Sequence, residues 1–403
     1  DLFVADASGS DNRSRWIGLA AICKILSEYN QVLSDKALEF IQEIHENFNG
    51  RRLELLNERN NRQKAIDEGA KLDFLDETKK IRDSDWKIKN IPHDLLKRQV
   101  EITGPPVPKK MIISALNSGA DCYMTDFEDS LTPTFDNLMQ GQLNIKEAIE
   151  KKIYFIEKES AKEYKLNKKT AVLIVRPRGL HLDEKNITVN NKKISGTFFD
   201  LGLALFNNAK KLIENGSGPY FYLPKLEHYL ECRLLDDVIS FCEKKLKLEI
   251  GTVKVTILIE TINAVFQMNE FLWELKDHAV GLNAGRWDYL FSYQKVYRNT
   301  QKVVLPDRSK VNMFVPFMSN YNKLLVDTCH KRGAFGMGGM SAQVIAKSNP
   351  KEINEMALAG VKKDKERELN QFNDGAWVAH PSLVQPVKNI FEKNFDGPNQ
   401  LNK

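Results

Sequence analysis

The stretch Lys254-Val255-Thr256-Ile257-Leu258-Ile259, followed directly by Glu260, decides the fold that we predict for this chain. It is a short run of β-branched and apolar residues, which is typical of a strand buried inside a parallel sheet. Seven further runs of this kind occur, and a helical stretch or a long connection follows each of them. They cover residues 100–103, 121–127, 171–175, 220–223, 279–283, 334–337 and 376–379.

Strands that alternate with helices pair in parallel through crossover connections. Eight of them within about 280 residues match the strand count of a closed TIM (β/α)8 barrel. The sequence therefore predicts an α/β protein whose barrel covers residues 98–395. An open, doubly wound sheet is the competing topology, because it also alternates strands with helices.

The N-terminal quarter of the chain has a different pattern. Apolar residues at helical spacing between residues 33 and 61, among them Leu38, Ile41 and Ile44, predict one amphipathic helix or a pair. Residues 71–97 are charged with isolated apolar anchors, so we expect this part to wrap around the outside of the core. Residues 1–97 are thus predicted to form an N-terminal helical and wrapping segment.

Composition excludes several classes of protein. The 403 residues carry 59 basic and 54 acidic side chains, and a net charge of +5 indicates neither a nucleic-acid nor a membrane partner. The apolar run at residues 17–25 is too short to span a bilayer. Five cysteines at wide, irregular spacing argue against a disulfide framework, so we expect a cytoplasmic protein.

Charged residues collect directly after the predicted strands. In a TIM barrel the carboxyl ends of all strands meet at one rim, where the active site lies. We therefore expect these side chains to converge: Asp126, Glu128, Asp129, Arg176, Arg178, Lys225, Glu260, Arg286 and Asp288.

The acids of this rim suit a hard divalent cation. Mg²⁺ prefers oxygen ligands and is usually bound by one or two carboxylates. Glu260 and Asp288 are the predicted direct ligands, because both follow a strand that ends at the rim. Asp126 and Glu128 lie two residues apart, and we expect them to orient metal-bound water from outside the ligand set. Structural ion pairs between these acids and the rim arginines are the alternative.

Several motifs together resemble one enzyme family. The longest comprises Lys276-Asp277-His278, Gly281-Leu282-Asn283 and Gly285-Arg286-Trp287-Asp288-Tyr289-Leu290-Phe291. Further matches include Asp126-Phe127-Glu128-Asp129-Ser130, Arg176-Pro177-Arg178-Gly179 and Leu258-Ile259-Glu260-Thr261. From about residue 30 onward, the chain resembles the shorter-isoform branch of the malate synthases.

The resemblance implies a TIM-barrel acyltransferase of the glyoxylate cycle. Such an enzyme condenses acetyl-CoA with glyoxylate and water to give (S)-malate and CoA, with Mg²⁺ as cofactor. Arg176 matches the family's catalytic arginine, which stabilises negative charge on the thioester oxygen as the enolate forms. The backbone at Gly285, Arg286 and Trp287 is expected to bind the glyoxylate carboxylate, although the indole of Trp287 is equally compatible with packing.

In this family the general base is an aspartate of a C-terminal helical domain, and no counterpart follows Pro381 in this sequence. We therefore expect residues 396–403 to begin a linker toward such a domain, and the chain to be part of a longer malate synthase. Two alternatives remain open. One is a shortened homologue that binds Mg²⁺ and acyl-CoA without condensing them, and the other is a lyase of malyl- or citramalyl-type CoA thioesters.

Overall fold

The computed structural model describes residues 29–300, 303–341, 343, 345 and 348–403. Its centre is a closed barrel of eight parallel strands, in which each barrel strand pairs with the next one along the chain and the last pairs back to the first. These strands are β1 Val100–Gly104, β2 Cys122–Asp126, β5 Val172–Arg176, β8 Tyr220–Leu223, β9 Lys254–Ile259, β10 Ala279–Ala284, β11 Phe335–Ser341 and β12 Gly375–Val378. The predicted TIM barrel is confirmed, and the doubly wound alternative is wrong because the sheet closes.

Two antiparallel hairpins lie outside the barrel. The first pairs β3 Tyr154–Ile156 with β4 Glu163–Lys165, and the second pairs β6 Asp183–Val189 with β7 Lys192–Ser195. Both occur in connections between consecutive barrel strands, β2 to β5 and β5 to β8, so they leave the barrel pairing intact.

Helices surround the barrel and connect its strands. The α-helices are Asp35–Asp67, Lys79–Asp83, Lys109–Leu116, Phe135–Ile149, Gly196–Glu214, Tyr229–Leu246, Ile262–Val265, Met268–Glu274, Arg286–Val296, Pro316–Lys331, Lys351–Asn370 and Pro381–Asn394. Short 3-10 turns occur at Asp76–Thr78, His93–Leu95 and Arg308–Lys310.

The N-terminal helix Asp35–Asp67 is one continuous element and not a pair. It begins after Ser34, whose hydroxyl accepts the backbone N–H of Ala37. Ile41 and Ile44 are buried against Gly202 of the outer barrel helix Gly196–Glu214, where a side chain larger than hydrogen would crowd them. The helix is therefore held by its apolar stripe against the barrel's outer layer.

Residues 71–97 run along the outside of the barrel, and polar contacts hold them there. The buried guanidinium of Arg332 donates to the backbone carbonyls of Ser84 at 2.7 Å and Arg82 at 2.8 Å. It also lies over the ring of Trp86, 4.2 Å from the ring centroid. One arginine of the barrel layer thus satisfies backbone groups of a segment that has no sheet partner.

The last residues pack against the N-terminal end of the barrel. The backbone N–H of Gln400 donates to Asp374 at 2.7 Å, and its side-chain amide donates to the carbonyl of Asn373. Gln99 donates to the carbonyl of Pro398. The stretch that we predict to begin a linker is therefore in contact with the barrel up to Gln400.

Cys122, Cys232, Cys242 and Cys329 are buried free thiols, whereas Cys23 and the apolar run at residues 17–25 lie outside the described residues. Within the described part of the chain, no helix has the length and apolar character needed to cross a membrane.

A charged triad around the buried His278 supports the amino end of β10. His278 contacts Asp236 at 2.8 Å through Nδ1 and Glu243 at 3.0 Å through Nε2. Burial opposes the charged imidazole, but the hydrogen bonds and charges of the two carboxylates outweigh it and raise the pKa of His278 to about 9. An unfolded histidine has a pKa of about 6.5. The stabilisation is therefore complete below about pH 6.5 and is lost as the pH rises through about 9.

We expect His278→Gln to lower the free energy of unfolding by roughly 2–3 kcal/mol at pH 6, because each pKa unit corresponds to about 1.4 kcal/mol. The difference from the unsubstituted protein should shrink between pH 6.5 and 9.5. Urea unfolding at several pH values measures it, with the exposed His93→Gln as control. A difference that does not change with pH would contradict the charged triad.

Candidate active site

Three carboxylates from three barrel connections meet at the rim. Asp129 follows β2, Glu260 follows β9, and Asp288 lies in the first turn of the helix after β10. One oxygen of each lies within 4.8 Å of the others, and within the described residues this is the one group of three such side chains with this spacing. Below we call these three residues the carboxylate cluster. Glu260 and Asp288 are thus brought together, and Asp129 joins them although we predicted no ligand role for it.

Lys225 occupies the middle of the carboxylate cluster. Its ammonium nitrogen lies 3.1 Å from an oxygen of Asp129, 3.2 Å from Asp288 and 3.4 Å from Glu260. Burial opposes its charge, but the negative charges of Glu260, Asp129 and Asp288 prevail and hold the pKa of Lys225 above its usual range. Its backbone has a positive φ of 59°, and its N–H donates to Glu260 at 2.7 Å.

Burial distinguishes the acids of this rim. The side chain of Glu260 is 2% exposed, and this desolvation raises its pKa despite the nearby ammonium of Lys225. The side chain of Glu128 is also buried. It accepts the backbone N–H of Gly179, and its pKa is raised to about 7, mainly by desolvation. Its nearest oxygen lies 4.0 Å from the Lys225 nitrogen, so Glu128 borders the carboxylate cluster.

Asp126 is paired with Arg176 rather than with the lysine of the carboxylate cluster. Both of its oxygens accept from Arg176 at 2.7 Å, and they also accept the backbone N–H groups of Glu128, Asp129 and Ser130. Burial alone would raise the pKa of Asp126, but the guanidinium and these donors lower it. The carboxylate therefore fixes the loop that carries Asp129 and the orientation of Arg176.

Arg176 is held on several sides. Besides Asp126, its guanidinium contacts Asp129 at 3.1 Å and lies over the ring of Trp377, 5.7 Å from the centroid. The indole N–H of Trp377 donates in turn to Glu101, a buried residue of β1. The cationic group is consequently fixed at the mouth of the barrel, where it lines a cavity.

Arg178 has a different environment, although it follows Arg176 by two residues. Its guanidinium pairs with the buried carboxylates of Asp200 at 2.8 Å and Glu184 at 2.9 Å. It therefore connects the hairpin β6–β7 and the helix Gly196–Glu214 to the barrel, and it does not line the cavity beside Arg176.

The segment from Gly285 to Trp287 forms the start of the helix Arg286–Val296. A Cβ on Gly285 would lie 2.5 Å from the Cβ of Glu260, so only glycine allows the helix to begin this close to that carboxylate. In the described part of the chain, the backbone N–H groups of Arg286 and Trp287 have no hydrogen-bond partner, as is usual for a first helical turn. The N–H of Gly285 donates to the carbonyl of Ile259 at 3.4 Å.

The side chains of Arg286 and Trp287 lie in different surroundings. The guanidinium of Arg286 donates to the carbonyl of Val311 at 3.0 Å, which directs it away from the carboxylate cluster. The indole of Trp287 is 45% exposed and lines the cavity, so it is not part of the packed core.

Two cavities meet at Glu260 and Asp288. One, of about 370 Å³, includes Arg176, Gly285, Trp287 and Trp377 in its lining. The other, of about 620 Å³, is lined by Lys225 and by residues of the N-terminal helix, among them Arg59. The carboxylate cluster is therefore accessible from two sides.

The donor set fits a divalent cation. Both oxygens of Asp126 accept hydrogen bonds from Arg176, as the alternative of structural ion pairs predicts. Glu260 and Asp288, in contrast, form ion pairs only with Lys225 among the described residues. Oxygen donors of this kind suit Mg²⁺. That an ammonium group already lies among the three carboxylates indicates that they attract a cation.

Comparisons with known proteins show to which proteins this chain is similar. Residues 172–403 match the family model for the malate synthase TIM barrel domain, and residues 23–80 match the model for the malate synthase N-terminal domain. The chain is 47% identical over 374 residues to a malate synthase of Myxococcus xanthus, covering 93% of this chain and 69% of the relative. It is 48% identical over 361 residues to malate synthase A of Escherichia coli, covering 90% of this chain and 67% of the relative.

Other similarities are more partial. The chain is 48% identical over 375 residues to a bifunctional glyoxylate cycle protein of Caenorhabditis elegans, covering 93% of this chain and 38% of the relative. Among solved structures, the magnesium/glyoxylate complex of a Haloferax volcanii malate synthase has a TM-score of 0.52 at 14% identity, covering 74% of this chain and 76% of that chain. A citrate lyase from Burkholderia xenovorans has a TM-score of 0.50 at 15% identity, covering 75% and 78%. Both structures share the fold.

Proposed function

The chain belongs to the malate synthase family, and from this premise we propose that it condenses acetyl-CoA with glyoxylate and water to give (S)-malate and CoA. The reaction would take place at the carboxyl ends of the barrel strands. The single observation that carries the proposal is the meeting of Asp129, Glu260 and Asp288 within 4.8 Å of one another, beside the cavity that Arg176 lines.

The cofactor in this proposal is Mg²⁺, held by Glu260 and Asp288. Asp129 is the third candidate ligand, because one of its oxygens lies within 4.8 Å of oxygens of Glu260 and Asp288. When bound, Mg²⁺ supplies Lewis-acid polarisation of the aldehyde and a template for an α-oxo acid. Glu128 borders these residues and would orient water around the ion.

Glyoxylate would bind against the helix Arg286–Val296. The backbone N–H groups of Arg286 and Trp287 begin this helix, and a helix N-terminus favours an anionic carboxylate. Gly285 supports this role by allowing the helix to start next to Glu260. The indole of Trp287 lines the same cavity and would exclude water from one side of the substrate.

Arg176 is the proposed catalytic residue. Removal of a methyl proton from acetyl-CoA places negative charge on the thioester oxygen, and a fixed guanidinium stabilises that charge. The bidentate pair with Asp126 supports this role, because it orients the group before the substrate arrives. We assign the removal of the proton to no residue of the barrel, since the resemblance gives it to an aspartate of the family's C-terminal domain.

Free-thiol release tests the proposed function. With acetyl-CoA, glyoxylate and Mg²⁺, the full-length protein that supplies the residue for proton removal is expected to release CoA, and omission of either glyoxylate or Mg²⁺ should abolish the release. Cleavage of malyl-CoA to glyoxylate and acetyl-CoA as the main activity would instead identify a lyase. Binding of Mg²⁺ and acetyl-CoA without any CoA release would identify the non-condensing homologue and contradict the proposal.

A further inference from the structure

Lys225 lies where the proposed metal ion would bind. We propose that its ammonium group is a built-in competitor that occupies the cation position in the metal-free protein and is displaced when Mg²⁺ binds. The inference rests on the proposed function, because it requires the carboxylate cluster to be the metal site. It goes beyond that function, because it assigns to this lysine a control over metal affinity.

The geometry makes the two cations mutually exclusive. The Lys225 nitrogen lies 3.1–3.4 Å from oxygens of all three carboxylates, and the three carboxylates each offer one oxygen within 4.8 Å of the others. Mg²⁺ binds carboxylate oxygens at about 2.0–2.1 Å. A space enclosed by the same three carboxylates cannot hold an ammonium nitrogen and a metal ion together, so one has to leave.

Charge explains why a lysine is useful at this position. Glu260 is buried and Asp129 and Asp288 face it, so the metal-free cluster would be destabilised by repulsion between like charges at short range. The ammonium compensates this repulsion and keeps the three side chains close together. When the metal ion enters, the ion pairs between the ammonium and the carboxylates are lost, and this loss lowers the net affinity for Mg²⁺.

The backbone and side chain of Lys225 have separate anchors. The backbone is held by its N–H bond to Glu260 at 2.7 Å and by Arg59, which donates to its carbonyl at 2.9 Å. The side chain has only the carboxylates as partners among the described residues. The ammonium is therefore able to leave while the left-handed backbone stays in place.

The larger cavity provides the space into which it would move. Lys225 lines the cavity of about 620 Å³ beside the N-terminal helix. It is not among the residues that line the smaller cavity with Arg176, Gly285 and Trp287. Departure toward the larger cavity keeps the ammonium off the proposed glyoxylate side.

The test compares Mg²⁺ binding to the unsubstituted protein and to Lys225→Met by titration calorimetry. Methionine has a similar length and no charge, so the dissociation constant for Mg²⁺ is expected to fall by about tenfold or more. The melting temperature of the metal-free variant should fall, and added Mg²⁺ should raise it by more than it raises that of the unsubstituted protein. Lys247→Met is the matched control, because Lys247 also has a positive φ, of 60°, but is exposed.

The outcomes separate the inference from the proposed function. If the unsubstituted protein binds no Mg²⁺, the metal site is wrong and the inference falls with it. If it binds Mg²⁺ and Lys225→Met binds it equally or more weakly, only the competitor role is wrong. A second measurement needs no variant: acetylation by acetic anhydride, followed by mass spectrometry, should label Lys225 faster when Mg²⁺ is present. The exposed Lys295 of the same cavity is the internal reference, and an unchanged ratio would overturn the displacement.

Discussion

Arg176→Lys in the full-length protein is expected to lower the kcat of CoA release by about 100- to 1,000-fold, which is the usual cost of losing one fixed oxyanion donor. Lysine keeps the positive charge but cannot make the two parallel hydrogen bonds that Arg176 donates to Asp126 at 2.7 Å. Its ammonium would also lose the stacked position over Trp377. The charge would remain near the thioester oxygen without being held in the orientation that the enolate requires.

Mg²⁺ binding distinguishes this effect from a general disturbance of the site. Because lysine retains the charge, the dissociation constant for Mg²⁺ should stay within about threefold of the original value. Arg178→Lys is the matched control: Arg178 pairs with Asp200 and Glu184 in the interior, so this variant should lose thermal stability and retain most of its kcat. Equal losses of kcat in the two variants would contradict the assignment of Arg176 as catalytic.

Glu260→Gln is expected to weaken Mg²⁺ binding by about two orders of magnitude or more. Glutamine has almost the same shape, so Gly285 can still pack against the side chain and its amide oxygen can still accept from the Lys225 N–H. What is lost is one negative charge in direct contact with the divalent cation, and this attraction is stronger than the repulsion between that charge and the other two carboxylates. The consequence is a largely metal-free site at millimolar Mg²⁺.

Titration calorimetry with Mg²⁺ measures this change directly and does not depend on turnover. Glu227→Gln is the control, because Glu227 lines the larger cavity near Glu260 but is paired with Arg59 and Asn263. Its variant should bind Mg²⁺ almost normally. Normal Mg²⁺ binding by Glu260→Gln would refute the assignment of Glu260 as a ligand.

The barrel was predictable because its signal is local. Each strand is a short buried run such as Lys254–Ile259, and a closed ring of eight parallel strands leaves little freedom for where their carboxyl ends lie. For that reason Glu260 and Asp288, which follow β9 and β10, could be predicted to meet at the rim, and they do. The amphipathic pattern of the N-terminal helix was also predictable from the sequence. That it is one continuous helix over Asp35–Asp67, and not a pair, was not predictable.

The arrangement of the acidic residues in the loop after β2 was harder to predict from the sequence. Asp126, Glu128 and Asp129 stand within four residues, and strand alternation favours the first two as a pair. In the structure β2 ends at Asp126, and the backbone turns so that three N–H groups point back at this carboxylate. Alternation no longer applies beyond the strand, and Asp129 joins the carboxylate cluster instead.

The sequence by itself determined the barrel, the rim on which the charged residues lie and the family to which the motifs belong, because these follow from residue patterns a few positions long. Only the tertiary structure decided which charges pair: Asp126 with Arg176, Arg178 with Asp200, and Lys225 with the carboxylate cluster. Such pairing depends on distances of about 3 Å between side chains far apart in the chain, and on burial that gives each charge its energetic weight. The position of the Lys225 ammonium among the three carboxylates is the clearest case, since three strand ends and one left-handed residue have to come together to create it.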